Sequence, residues 1–246
     1  MKVLILRLEA PLMSFGTVAV DNWRPSGPFP ALSAVTGLLG AALGYKRHQT
    51  EALQRLQERL RIATRIDRRG EPLTDYQTVD LGQPWMDGSE KGVGWTTGHQ
   101  VEARGKGQAN CGTHIRHRQY WADAVATLAA TLEPAEEQPE LDEVAEALRR
   151  PCHPLFLGRK GCPPAEPILR GEREAESLQE ALTAVPAHPA ADGAELPAQW
   201  PAGETEGPEE QVLRDRRDWP NQIHAGSRRA WRGTIRPTPG EGGAHG

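Results

Sequence analysis

A long glycine-rich stretch interrupts the first half of this 246-residue chain. Between Asp75 and Thr113 the sequence has few aliphatic residues and no periodic pattern that would build a core. A segment of this length without a core pattern is uncommon inside a compact domain and is usually functional. The segments at its two ends, Tyr76–Val79 and Thr113–Tyr120, have strand-like composition. We therefore predict that they pair as the two stems of a long β-hairpin.

The apolar pattern outside this stretch predicts an alternation of strands and amphipathic helices. Ser33 suits the N-cap of the first helix, since its hydroxyl can accept an orphan N–H group, and Gly44 suits its C-terminal stop. Residues 124–132 fit either a strand or a helix. The predicted strands are Val3–Leu8 and Leu60–Ile66, and the predicted helices are Ser33–Gly44, Thr50–Leu60, Glu140–Arg149 and Glu172–Leu182.

Two segments near the C-terminus are predicted to lie outside the regular structure. Residues 186–210 are rich in Pro, Ala, Gly and Glu, a composition typical of a flexible, solvated loop. Residues 240–246 form a short polar tail with four glycines, which we expect to be disordered.

Composition excludes several classes of protein. No apolar run approaches the roughly 18–20 residues of a membrane span, and the apolar run at residues 3–6 is too short for a signal peptide. Three cysteines are an odd number in a chain of this length, which argues against a secreted disulfide scaffold. We expect a cytoplasmic protein without a membrane partner.

The sequence carries no strong signal for a cofactor or a metal. It has neither a phosphate-binding P-loop nor a dinucleotide fingerprint. Cys111 and His114, and the adjacent Cys152 and His153, lack the paired spacing of a structural zinc site. The residue types for metal-independent RNA cleavage are present, but no spacing fixes them together. These candidates for acid–base chemistry are Tyr45, Lys46, His114, His117 and Tyr120.

More features of the sequence indicate binding of a polyanion than any other function. The net charge of −4 hides a basic first half, an acidic middle and a basic C-terminal part. Strand alternation places His114, Arg116 and Arg118 on one face and Ile115, His117 and Gln119 on the other. Arg24 precedes a predicted helix N-terminus, where free N–H groups favour phosphate. Arginines near the C-terminus are interleaved with tryptophans, which suits single-stranded nucleic acid. They are Arg214, Arg216, Arg217, Arg228, Arg229 and Arg232, with Trp219 and Trp231.

Several motifs, in order along the chain, resemble the fifth Cas-protein family of the RAMP superfamily in its CRISPR subtype I-E form. They are APLMSFG at 10–16, RPSGPFPALSAVTGLLGA at 24–41, DYQTV at 75–79, RQYWADA at 118–124 and PLFLGRKGCPP at 154–164, with Arg214-Asp215 and Ser227-Arg228 near the C-terminus.

The resemblance implies an α+β fold: a ferredoxin-like (modified RNA-recognition-type) RAMP domain with a long β-hairpin thumb and a smaller C-terminal β-containing part. Residues 1–121 would form the RAMP domain, with the thumb inserted at about 76–116. Residues 122–246 would supply the remainder of the core and the C-terminal part.

The resemblance also implies a non-catalytic RNA-binding subunit of a type I-E CRISPR surveillance complex, Cascade, which acts in antiviral defence. Such a subunit binds and caps the 5′ handle of the CRISPR RNA (crRNA), contacts the backbone and large subunits, and meets target DNA only indirectly. Two alternatives stay open: a metal-independent crRNA-processing endoribonuclease, and a pure assembly subunit without direct RNA contact.

The motifs and the basic clusters together indicate which residues form the candidate RNA-binding site, and we expect no metal or cofactor there. The expected RNA contacts are Ser14, Phe15, Arg24, Ser33, Thr36, Arg116, Arg118, Tyr120, Arg159, Lys160 and Arg228, and the expected thumb contacts are Trp85, Met86 and Trp95.

Overall fold

A computed structural model of the protein describes residues 1–17, 22–80, 93–95, 101–103, 113–191 and 195–239. Its strands are β1 (Lys2–Glu9), β2 (Leu12–Met13), β3 (Trp23–Arg24), β4 (Leu60–Arg68), β5 (Glu71–Asp80), β6 (Val93–Trp95), β7 (Val101–Ala103), β8 (Thr113–Ala122), β9 (Val125–Leu132), β10 (Leu169–Glu174), β11 (Leu196–Pro201), β12 (Glu209–Leu213) and β13 (Arg228–Ile235). Its α-helices are α1 (Leu32–Ala42), α2 (Thr50–Arg59), α3 (Leu141–Arg149) and α4 (Leu178–Thr183), and Pro189–Ala191 form a 3-10 turn.

The main sheet has seven antiparallel strands in the order β10-β1-β9-β4-β11-β13-β12. β9 is an inner strand, and all eight of its residues are buried. Because a strand covered on both faces needs apolar or small side chains at every position, β9 shows no alternation. This explains why residues 124–132 could not be assigned from their pattern.

Two cores lie on the two faces of this sheet. Leu4 and Leu6 of β1 face one core together with helices α1, α2 and α3. Val3 and Ile5 face the other core, which contains α4 and Trp200.

In the described part of the chain, no helix has both the length and the apolar character needed to cross a membrane.

A second, smaller sheet is built around β8. β5 pairs antiparallel with β8 along its whole length, from Glu71 opposite Ala122 to Asp80 opposite Thr113. The predicted pairing of the two stems is therefore confirmed. On the other side of β8, β2 pairs antiparallel and the short edge strand β3 pairs parallel. Inside the insert, β6 and β7 pair with each other.

The predictions for the C-terminal half need two corrections. Residues 186–210 do not form a solvated loop, because they include β11, an inner strand whose Trp200 is 1% exposed. Residues 172–182 are not one helix but the end of β10 followed by the short helix α4. The main sheet draws strands from both sides of residue 121, the predicted boundary, and residues 240–246 lie outside the described residues.

A buried ion pair on β4 ties the sheet to the segment after α4. Arg65 Nε donates to Asp67 Oδ1 at 2.6 Å, and both side chains are fully buried. The Arg65 guanidinium also donates to the backbone carbonyls of Val185 at 2.8 Å and Pro186 at 3.2 Å. Thr127 Oγ1 donates to Asp67 Oδ2 at 2.9 Å. The pair is thus hydrogen-bonded on several sides, as a buried charge requires.

Candidate nucleic-acid interface

The alternation of β8 places Arg116 and Arg118 on one side of the small sheet. β3 adds Arg24 to the same side, because the parallel register pairs it with Arg118. We call these three residues, Arg24, Arg116 and Arg118, the cationic face. The register of β5 places one carboxylate, Asp75, opposite Arg118. Arg24 is exposed and the other two are half-buried, so the face presents an excess of positive charge to solvent.

Arg159 holds the strands of the cationic face together. Its Nη1 donates to the carbonyl of Gln119 on β8 at 2.8 Å, and its Nη2 donates to the carbonyl of Arg24 on β3 at 3.3 Å. The guanidinium carbon lies 4.6 Å from the centroid of the Tyr120 ring, a cation–π contact. Arg159 was predicted as a phosphate contact. In the structure, it directs these donors at its own chain and braces the sheet.

A tight turn carries Arg159 to this position. The backbone N–H of Ser14 donates to the carbonyl of Leu157 at 3.1 Å, so the turn packs directly on the N-terminal segment. Gly158 follows with a φ of +104°, and a Cβ there would lie 1.9 Å from the Ser14 carbonyl oxygen. Only glycine fits this approach. Lys160, the next predicted contact, is exposed on the same turn.

Five of the predicted contacts are buried. The side chain of Thr36 is fully buried, and its Oγ1 donates to the carbonyl of Leu32 in the same helix. Tyr120 packs in the core beneath Arg159. These side chains support the interface from beneath and are not part of its surface. The buried set is Ser14, Phe15, Ser33, Thr36 and Tyr120.

The phosphate site predicted at the start of α1 is closed by the protein itself. The helix begins at Leu32, and Ser33 is not its N-cap. Asp215 Oδ2 accepts the N–H of Leu32 at 3.1 Å, and the Asp215 carbonyl accepts the N–H of Ser33 at 3.0 Å. A carboxylate is favourable there because it complements the positive end of the helix dipole. No local pattern indicates a cap that lies 183 residues further along the chain.

The same carboxylate binds Arg228, another predicted RNA contact. Arg228 Nη2 donates to Asp215 Oδ2 at 2.8 Å, and its Nε lies 3.0 Å and 3.1 Å from the two carboxylate oxygens. Both side chains are mostly buried. Arg228 is therefore engaged in fixing the C-terminal segment against α1.

Arg228 also lines a cavity rich in arginine, whose residues are too far apart in sequence to be recognised together without the structure. It has a volume of about 460 Å³. Four arginines line it together with Leu32, Leu60 and Ile62, and we call it the arginine cleft: Arg61, Arg216, Arg228 and Arg229. Three of them pair with the carboxylates of Glu133, Asp215 and Glu210. Among the described residues, the buried Nε of Arg216 has no hydrogen-bond partner. The run Arg214–Arg217 was visible in the sequence, but its approach to Arg61 was not.

Positive charge is also crowded beside the arginine cleft. Burial, with the nearby Arg47, lowers the pKa of the Arg217 guanidinium. Burial, with the charge of Arg217, lowers the pKa of His224 below its usual value. Like charges disfavour each other's ionised forms.

Most of the expected thumb contacts lie outside the residues that the structure describes. Trp85 and Met86 lie outside the described residues, and for Trp95 only the backbone, in β6, is described. Cys111 lies outside as well. Across the ranges that the structure covers, no group of three or more His, Cys, Asp or Glu side chains is arranged to hold a metal ion.

Comparisons with known proteins agree on one family. A family model described as CRISPR-associated protein (Cas_Cas5) matches residues 3–230. The CRISPR system Cascade subunit CasD of Escherichia coli (strain K12) is 34% identical over 182 residues, which cover 73% of this chain and 75% of CasD.

Two solved structures resemble the whole chain. A chain of a CRISPR RNA-guided surveillance complex superposes with a TM-score of 0.71 at 25% identity, covering 97% of this chain and 95% of that one. A second structure, described as a Cas protein, superposes with a TM-score of 0.59 at 24% identity, covering 97% and 100%. The second likeness concerns the fold alone.

Proposed function

Because this chain belongs to the Cas5 family of CRISPR-associated proteins, we propose that it is a non-catalytic, crRNA-binding subunit of a type I-E surveillance complex, Cascade. In this role it binds and caps the 5′ handle of the crRNA and contacts the backbone and large subunits of the complex. It meets target DNA only through the assembled complex.

The topology supports a ferredoxin-like RAMP domain as the scaffold for this function. Along the chain, β1 is followed by α1 and α2, β4, β9, α3 and β10, and the four strands lie in the order β10-β1-β9-β4. This is the βαββαβ arrangement of ferredoxin-like folds. The β5–β8 hairpin, inserted between β4 and β9, takes the place of the thumb.

The observation that carries the proposal is the cationic face. Arg24, Arg116 and Arg118 line one side of the small sheet at the root of the hairpin, with Lys160 exposed on the turn of the bracing Arg159. Phosphate contacts from arginine and lysine supply most of the affinity of such interfaces and position the nucleic acid. A single-stranded handle following this face would place its backbone against these side chains.

The test uses labelled repeat RNA and an isolated 5′-handle RNA, in EDTA, across a salt series. We expect the purified chain to bind both with strong salt dependence and to leave the RNA intact. Discrete cleavage within the repeat would instead identify a metal-independent processing endoribonuclease. If the isolated chain does not bind RNA, ultraviolet cross-linking in the reassembled complex tests whether the handle contacts this subunit. A complex in which the handle never cross-links to this subunit would identify a pure assembly protein.

Replacing Arg118 with alanine is expected to weaken handle binding several-fold and to change its salt dependence. Each phosphate contact to single-stranded nucleic acid contributes about 0.7 to the slope of log K against log salt. Losing one contact should therefore reduce the slope by about 0.7, measured by fluorescence anisotropy. Arg150→Ala is the matched control, since Arg150 is an 87% exposed arginine at the end of α3. Equal slopes for the wild type and Arg118→Ala would remove Arg118 from the interface.

A further inference from the structure

The side of the small sheet opposite the cationic face carries a row of aromatic rings. The register places Trp23 of β3, His117 of β8 and Tyr76 of β5 beside one another across the three strands. The ring centroids of Trp23 and His117 are 4.9 Å apart with the planes tilted by 33°. Those of Tyr76 and His117 are 5.4 Å apart with the planes at 67°. We call these three residues the ring row.

The two outer rings of the ring row are exposed, although aromatic rings of this size are usually buried. Trp23 is 42% exposed and Tyr76 is 57% exposed. Ile115, two residues before His117 on the same face of β8, is 41% exposed. Internal packing therefore does not account for these rings. An exposed group of large apolar side chains on one small sheet indicates a binding surface.

The chemistry around the ring row identifies its occupant. Each ring on β3 and β8 is adjacent in sequence to an arginine of the cationic face: Trp23 to Arg24, and His117 to both Arg116 and Arg118. Since β3 is an edge strand of two residues, a chain passing along it reaches the rings on one side and the guanidinium groups on the other. A single-stranded nucleic acid needs both, because its bases stack on rings while its phosphates pair with cations.

We propose that the ring row is a stacking platform for unpaired RNA bases, with the phosphates that pass the β3 edge held by Arg24. This proposal rests on the proposed function and deepens it, because it assigns base contacts to residues that basic clusters do not reveal. Trp23 and Tyr76 present their exposed ring faces to the bases. His117 fixes the spacing between the two outer rings.

The first test compares Tyr76→Ala and Trp23→Ala with the wild-type full-length chain, using a fluorescent 5′-handle RNA. Loss of a stacking ring should weaken binding by about tenfold without changing the salt slope, which distinguishes it from Arg118→Ala. Val212→Ala is the matched control. Val212 is an exposed apolar residue, 65% accessible, on β12 at the edge of the main sheet and outside the small sheet. Tyr76→Phe keeps the ring and should bind as the wild type does.

The second measurement places 2-aminopurine at each handle position in turn within the reassembled complex. Its fluorescence is quenched by stacking, so Tyr76→Ala should relieve the quenching at particular positions, and Val212→Ala should not. If the wild type binds the handle and Tyr76→Ala and Trp23→Ala match it in both assays, the ring row is not a base platform, although the proposed function stands. If these variants keep their RNA affinity but fail to join the backbone subunits, the ring row is a protein contact and the proposal is wrong. A wild-type complex in which the handle never contacts this subunit overturns the proposed function itself.

Discussion

Replacing Arg65 with alanine should lower the free energy of unfolding by about 3–5 kcal/mol, the range seen when one partner of a buried ion pair is removed. The substitution leaves the fully buried carboxylate of Asp67 without its hydrogen-bonded guanidinium, and the remaining cation, Arg7, lies 3.7 Å from Asp67 Oδ2. It also removes the donors to the carbonyls of Val185 and Pro186. The segment between α4 and β11 is then held to β4 more weakly, through the N–H of His188, which donates to Asp67 Oδ2 at 3.0 Å. Urea denaturation followed by circular dichroism measures the change.

Two variants separate the buried charge from other causes. Arg61→Ala lies on the same strand, but Arg61 and its partner Glu133 are solvent-exposed at 39% and 54%. An exposed pair contributes at most about 1 kcal/mol, so this variant should be nearly neutral. The double variant Arg65→Met with Asp67→Leu removes both charges of the pair, but it also takes the carboxylate from Arg7, Thr127 and His188, so it should regain only part of the lost stability. If Arg65→Ala costs no more than Arg61→Ala, the ion pair does not hold this part of the fold.

Replacing Gly158 with alanine should cost about 3 kcal/mol of stability, because it combines two penalties. The φ of +104° is strained for any residue with a Cβ, at about 1–3 kcal/mol. The new methyl group would also meet the Ser14 carbonyl oxygen at 1.9 Å, so the turn must move. Since Arg159 is the next residue, its bonds to Gln119 and Arg24 should loosen and handle binding should weaken too. Thermal unfolding and the anisotropy assay measure the two effects.

Gly161→Ala is an unusually close control for this prediction. It makes the same chemical change in the same turn, but a Cβ at Gly161 meets no atom within 4 Å. The φ of Gly161 also lies outside the left-handed region. We expect a change within about 0.5 kcal/mol, as for most surface substitutions. Equal melting temperatures for Gly158→Ala and Gly161→Ala would show that the contact with Ser14 does not constrain the turn.

The elements that could be predicted from sequence are those whose information is local. Helix α2 matches its predicted start at Thr50 because the spacing of its leucines is enough to define it. The opposite orientation of Arg118 and His117 follows from the alternation of any strand. The two stems of the hairpin were identified by their own composition, and the ladder between β5 and β8 confirms them.

The errors concern residues whose neighbours are distant in sequence. β11 was predicted as loop because its proline and alanine residues suit a strand only when β4 and β13 flank it. Ser33 was predicted as a cap because Asp215 could not be placed nearby from the sequence. Trp23 was not recognised as a site residue, since only the pairing of β3 with β8 brings it to His117. In the candidate site, sequence therefore identified the charges, whereas the rings and the arginine cleft needed the fold.

The Asp215 cap on α1 has a consequence for how the chain is made. Synthesis runs from the N-terminus, so α1 emerges long before the residue that completes its first turn. β1 also stays unpaired at first, because its partner strands β9 and β10 lie more than a hundred residues downstream. A topology dominated by pairing between strands that are distant in sequence folds slowly, and until it forms the nascent chain exposes unpaired strands. A ribosome that stops before Asp215 releases a fragment that lacks this helix cap and β13, the strand through which β12 joins the sheet. Such fragments are suited to degradation rather than to incorporation, so the supply of this subunit depends on complete translation.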